Sequence, residues 1–164
     1  MNRPRQRICI ADIGRVVTGK TPPTKQPELY GTSYPFITPT DIGDDSRNVQ
    51  PARFISELGR KRHSSAMLPP NAVCFTCIAS IGKICMTKQL SLTNQQINSV
   101  IVDESKHDPR YVFYLLITET ERIKAVAGGV ATPIINKTAF SEMEMEVHPL
   151  TIQRKIAAIL SAYD

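Results

Sequence analysis

Two stretches of this chain carry spacings that catalytic and ligand-binding proteins use. Cys74-Phe75-Thr76-Cys77, with Cys85 further on, has the CxxC pair of zinc and redox sites. Residues 14–21, GRVVTGKT, satisfy the GxxxxGK[ST] pattern of a phosphate-binding loop, with Gly14, Gly19, Lys20 and Thr21 in the defining positions. Neither has the context its chemistry needs. The cysteine pair falls within an apolar, partly β-branched run, Ala72–Ile78, that predicts a buried strand, where residues three apart point to opposite faces. Further zinc ligands would have to come from Cys9, His63, His107 or His148, none at finger-like spacing, so the cysteines read as buried and inert. A nucleotide-binding loop opens a helix, whereas here Pro22 and Pro23 follow at once. The same loop suits a different use, with its amides, Lys20 and Thr21 meeting DNA phosphates. The three histidines stand near no nucleophile, and Ser80 lacks a GxSxG elbow.

Charge gives a second line of argument. The 164 residues carry a formal net charge of +5. The first 102 hold thirteen basic against six acidic side chains, and the remaining 62 hold seven against nine. Such asymmetry is a footprint of a polyanionic partner. Arg60-Lys61-Arg62 is the densest basic cluster, and Gln95, Gln96 and Asn98 group amides able to pair with adenine. Aromatic residues make up only 6% and Trp is absent, which disfavours stacking on single strands. No apolar run reaches membrane-spanning length, and four cysteines in this length suit a reducing compartment, so a cytoplasmic location is expected.

These side chains must be held by short elements. Residues 14–27 read as an exposed Gly-, Thr- and Pro-rich loop. Strands are expected at Tyr34–Thr38, Ala72–Ile78, Ile84–Thr87, Ile97–Val102 and Met143–Val147, with turns at 38–41 and 80–83. Ser56-Glu57-Leu58 starts a short helix toward Ala66, and Pro69-Pro70-Asn71 closes it. A long helix runs from Asp108 to Ala127, capped by Asp108 and stopped by Gly128-Gly129. Leu150 to Asp164 forms a last helix on which Ile152, Ile156, Ile159 and Tyr163, with Leu160 beside them, make a narrow stripe. That stripe seeks a partner helix, or else docks on its own domain. The expected class is α+β: a mixed, mostly antiparallel twisted sheet with flanking helices.

Taken in order, several blocks resemble a known family. They are GRVVTGKTPP at 14–23, YPFITPTDI at 34–42, LPPNAV at 68–73 and ASIGK at 79–83. TNQQIN at 93–98, ATP at 131–133 and VHPLTIQRKIA at 147–157 complete the series. The chain is similar, over nearly its whole length, to a target recognition domain of the specificity subunit of type I restriction–modification enzymes. One departure is Ala79, where that family often has Arg or Gly.

The resemblance implies a recognition domain over 1–148 and the beginning of a coiled-coil spacer helix over 149–164. It implies sequence-specific binding to double-stranded DNA, one such domain reading each half of a split site. No catalytic residue, metal or cofactor is implied, because methyltransferase subunits and a restriction subunit do the chemistry. With a single recognition domain present, the chain reads as part of a longer subunit or as a half-length one that pairs with a second half or with its own copy. Phosphate contacts are expected from Lys20, Lys25, Arg60, Lys61, Arg62 and Lys83. Base reading is expected from Thr38, Thr40, Arg47, Gln95 and Gln96, and helix pairing from Ile152, Ile156, Ile159 and Leu160. Two alternatives stand beside this: the recognition domain of a single-chain methyltransferase–nuclease, and a metal- or nucleotide-dependent enzyme.

Overall fold

Ten short strands and five helices make up the described part of the chain, which in this computed structural model is residues 5–43, 49–128 and 132–163. The chain begins with β1 (Gln6–Cys9), α1 (Ile10–Ile13) and β2 (Gly14–Thr18), then β3 (Tyr30–Gly31), β4 (Tyr34–Ile37) and β5 (Arg53–Ile55). Next come α2 (Glu57–Arg62), β6 (Val73–Thr76), β7 (Ile84–Met86), β8 (Leu92–Thr93) and β9 (Ile97–Val102). It closes with α3 (Pro109–Val126), α4 (Lys137–Ser141), β10 (Glu144–Val147) and α5 (Leu150–Ser161).

The α+β class holds, with three sheets in place of one. A central antiparallel sheet has the order β2-β9-β6-β7, a second has β3-β5-β4-β8 with β4 and β8 parallel, and β1 pairs with β10. All four residues of β6 are buried because the central sheet is covered on both faces. Val73 and Phe75 belong to one core with α3, Phe140, Met145 and Ala157. Cys74 and Cys85 belong to a second core with Phe36, Ile55, Leu68 and Leu92. The alternation of a strand thus divides one run of sequence between two cores.

The 14–27 loop is shorter than its composition predicts. Val16 and Val17 are buried, and β2 pairs with β9 along its whole length. β-branched residues favour that pairing, and the proline constraint begins only at position 22. The helix ends follow their expected chemistry. Ser56 Oγ accepts from the Gly59 amide at 3.1 Å at the start of α2. Asp108 Oδ1 accepts from the Arg110 and Tyr111 amides at 3.0 and 3.1 Å at the start of α3. β10 alternates exposed Glu144 and Glu146 with buried Met145 and Val147.

Candidate nucleic-acid interface

Main-chain hydrogen bonds between distant turns bring the candidate side chains together. The loop after β2 is fixed where it leaves the strand, since the Gly19 amide donates to Ile97 O at 3.1 Å and the Lys20 amide to Thr93 O at 2.8 Å. A Cβ at Gly19 would lie 2.1 Å from Asn94 O, so only glycine permits this approach. Both amides are therefore committed, and no α-helix opens after them. Residues 14–21 form a strand and its exit, with no amide cradle for a nucleotide.

Neighbouring turns join the same group. Thr21 Oγ1 donates to Gln95 Oε1. The Asn94 amide donates to Ile37 O at 3.0 Å, beside the turn at Pro39–Asp41. Lys83 Nζ reaches that turn from the 80–83 side, donating to Pro39 O at 3.2 Å and Ile42 O at 3.0 Å. Arg62 Nη1 donates to Gln26 Oε1 at 3.2 Å, which ties α2 to the loop carrying Lys20 and Lys25.

Within this assembly the candidates differ in how free they are. Lys20, Thr21, Lys25, Thr40, Lys61, Arg62 and Gln95 are exposed. Thr38 is buried, with its hydroxyl donating to Asp41 Oδ2 at 2.7 Å as part of the turn's cap. Gln96 accepts from Asn94 Nδ2 through Oε1 at 2.9 Å. Asn98 is buried, accepting from Thr18 Oγ1 at 2.7 Å. Arg60 is paired with Glu57, Nη2 to Oε1 at 2.6 Å and Nε to Oε2 at 2.9 Å. That fork, then the Tyr34 hydroxyl, holds the Glu57 carboxyl at about 2, so the pair is neutral in sum across the physiological range. Arg47, with the rest of 44–48, lies outside the described residues.

Charge pairing differs from one element to another. Ion pairs gather around β1, β10 and α3: Arg5–Glu146, Arg7–Glu144, Arg122–Glu119 and Lys124–Glu121. Exposed pairs of this kind contribute little stability, but they cancel charge locally. Among the described residues no carboxylate pairs with Lys20, Lys25, Lys61 or Arg62. Arg15 on β2 and Lys137 on α4 are likewise unpaired, and with Lys20 they line a concavity of about 320 Å³. Sequence reasoning passed over Arg15 and Lys137 because each is a single cation among uncharged neighbours.

The model of the family described as the type I restriction modification DNA specificity domain matches residues 3–164. The chain belongs to this family. It is 34% identical over 139 residues to the HindI specificity subunit of Haemophilus influenzae, covering 84% of this chain and 30% of that one. It is 32% identical over 159 residues to the MjaIX specificity subunit of Methanocaldococcus jannaschii, covering 94% and 37%. The chain thus spans about a third of the length of the relatives it matches. The crystal structure of the HsdS subunit from Thermoanaerobacter tengcongensis superposes with a TM-score of 0.73 at 17% identity, covering 99% of this chain and 37% of that one.

Two further groups acquire positions in this specificity domain. Cys74 faces Cys85 across the ladder in the second core, while Cys77 lies in the first, so the CxxC sulfurs face opposite ways. Burial pushes the Cys77 thiol up to about 11, which suppresses the thiolate a metal would need. The stripe on α5 is divided as well. Ala157 is fully buried and Ile156 packs against the first core, so the helix docks on its own domain. Ile159 remains 60% exposed, Leu160 39% and Tyr163 85%. Among the described residues no helix is long and apolar enough to cross a membrane.

Proposed function

We propose that this specificity domain binds double-stranded DNA through the loops after β2, around Pro39–Asp41, at 80–83 and at 94–96, together with the end of α2. One observation carries the reading: Lys20, Lys25, Lys61 and Arg62, without a carboxylate partner among the described residues, lie on a loop and a helix that hydrogen bonds tie to the turns carrying exposed Thr21, Thr40 and Gln95, while the cations beside β1 and β10 are cancelled by glutamates. Lys and Arg supply sequence-independent affinity by releasing counterions, and hydroxyl and amide groups supply base discrimination. Thr38 and Lys83 then act by fixing the turns, and Arg47 remains a base-reading candidate.

In this reading residues 1–148 are the recognition domain and 149–164 begin a coiled-coil spacer. The domain reads one half of a bipartite site, and a second recognition half or a second copy reads the other. It has no catalytic role of its own and works in the cytoplasm, directing methyltransferase subunits and, through them, a restriction subunit. Methylome sequencing of a host carrying the intact gene tests this. A split methylated motif that disappears with the gene supports it, and an unchanged methylome removes it. Fluorescence anisotropy on mixed-sequence duplexes tests the binding step, which is expected to weaken steeply with salt.

A further inference from the structure

The concavity beside β2 has features that the loop group does not share. β2 is a terminal strand of the central sheet. The Gly19 amide bonds Ile97 O and the Asp103 amide bonds Ile13 O, so the 19–97 and 13–103 pairs of this register are hydrogen-bonded ones. Such pairs alternate along an antiparallel ladder, which directs residues 15 and 17 toward β9 and turns the amides of Val16 and Thr18 to the open edge. Neither amide has an acceptor among the described residues.

Arg15, Val16, Thr18, Lys20, Ser65 and Lys137 all line the concavity on this edge, and no Asp or Glu does. The wall is built from four separate segments: β2, the loop after it, the turn following α2, and the start of α4. Three cations gathered without a counter-charge raise the local potential, and the unmade hydrogen bonds of two edge amides add donors of the kind that phosphate oxygens accept. The concavity opens to solvent, so an anion that continues as a chain on both sides fits it better than one that must be enclosed.

We infer that this concavity seats one backbone phosphate of duplex DNA, held by Arg15, Lys20 and Lys137 with the edge amides of β2. The inference rests on the DNA-binding reading and adds to it a contact that runs from Lys20, beside the Gln95 turn, along β2 to Arg15 and Lys137. Arg15 presents a planar fork to two phosphate oxygens, while Lys20 and Lys137 act as point charges on either side. A contact of this kind fixes how the domain sits on the duplex and carries no sequence preference.

The test is the salt dependence of duplex binding by the full chain and by the Arg15→Gln, Lys137→Gln double variant, with each single variant beside it. Both side chains are exposed, and unchanged circular dichroism and Tm establish that the variants fold. The expected result is a slope of log K against log salt shallower by about 0.9, one phosphate's worth, and equal losses on unrelated duplexes. Arg7→Gln with Glu144→Gln, a cancelled pair across β1 and β10, is expected to leave the slope as it was. An unchanged slope in the Arg15, Lys137 variant, with the original chain still binding, overturns this inference alone. Absence of salt-dependent binding by the original chain overturns both this inference and the reading beneath it. Inorganic phosphate at fixed ionic strength supplies the last arm. Stabilisation of the original chain but not the double variant, with the DNA slope unmoved, assigns the concavity to a small free anion and overturns the duplex assignment.

Discussion

Gln153 Nε2 lies 3.1 Å from His107 Nδ1, in a buried contact that joins the first turn of α5 to the residue preceding Asp108. The same amide donates to His148 O at 2.6 Å, and Gln153 Oε1 accepts from the Asp108 amide at 2.9 Å. Gln153 is 1% exposed, so one side chain satisfies three groups where two helices and the end of β10 converge. With the amide donating, His107 must offer a bare Nδ1, which is the neutral form with its proton on Nε2.

Replacing Gln153 by Leu keeps the volume and leaves those partners unmet. The expected cost is about 2–4 kcal/mol, read as a fall in the urea midpoint at unchanged slope. A loss below about 0.5 kcal/mol would show that water replaces the amide.

Acid should weaken the same joint. Burial lowers the pKa of His107, so the unfolded chain binds the extra proton more readily than the folded one. Stability is then at its full value above the unfolded value of about 6.5 and falls as the pH drops toward the lower folded one. His107→Asn is expected to lose this part of the pH dependence between about pH 7 and 5. A variant whose stability falls as steeply as the original chain's would place the dependence elsewhere.

Ala79 has a φ of +60°, in the left-handed region that glycine favours. Its amide donates to Pro133 O at 3.1 Å, which fixes the turn in that conformation. Ala79→Gly is expected to raise stability by about 1 kcal/mol without changing DNA affinity. Thermal denaturation decides it, since a lower Tm would mean that the turn is not strained.

The three basic residues of α2 should not act alike. Lys61→Gln with Arg62→Gln is expected to flatten the salt slope of DNA binding by about 0.9 for each phosphate lost. Arg60→Gln with Glu57→Gln removes a neutral pair and is expected to leave the slope unchanged. Equal slopes for the two double variants would separate the cluster from the interface.

On α5, Ile156 packs on the first core while Ile159 is largely exposed. Ile156→Asp is expected to destabilise the domain by about 3 kcal/mol, and Ile159→Asp by less than 0.5. In a chain extended past Asp164, Ile159→Asp should abolish helix pairing in sedimentation while the fold survives. Pairing that persists would place the seam on another face.

Much of the fold could be read from local signals. Asp108 and Ser56 cap the helices they precede, and the 143–147 alternation pairs as a strand with one wet face. What escaped reading is non-local. Whether Lys83 meets phosphate or two carbonyls depends on a turn some forty residues away, and whether Arg60 is free depends on Glu57 choosing it as a partner. The burial of Val16 and Val17 is hidden in the sequence because the Gly, Thr, Lys and Pro beyond the strand end dominate the composition of 14–27. Arg15 and Lys137 become neighbours only through the packing of α4 beside β2.

The commitment of the Gly19 and Lys20 amides has an evolutionary consequence. The loop after β2 leaves the scaffold through main-chain bonds that ask nothing of the side chain at Lys25, and among the described residues Thr40 and Gln95 add only one side-chain bond each, to Thr38 and Thr21. Exposed substitutions at such positions change stability by less than about 0.5 kcal/mol. If the proposed DNA-binding role holds, a lineage can exchange such side chains at little cost in stability, and with them its DNA preference.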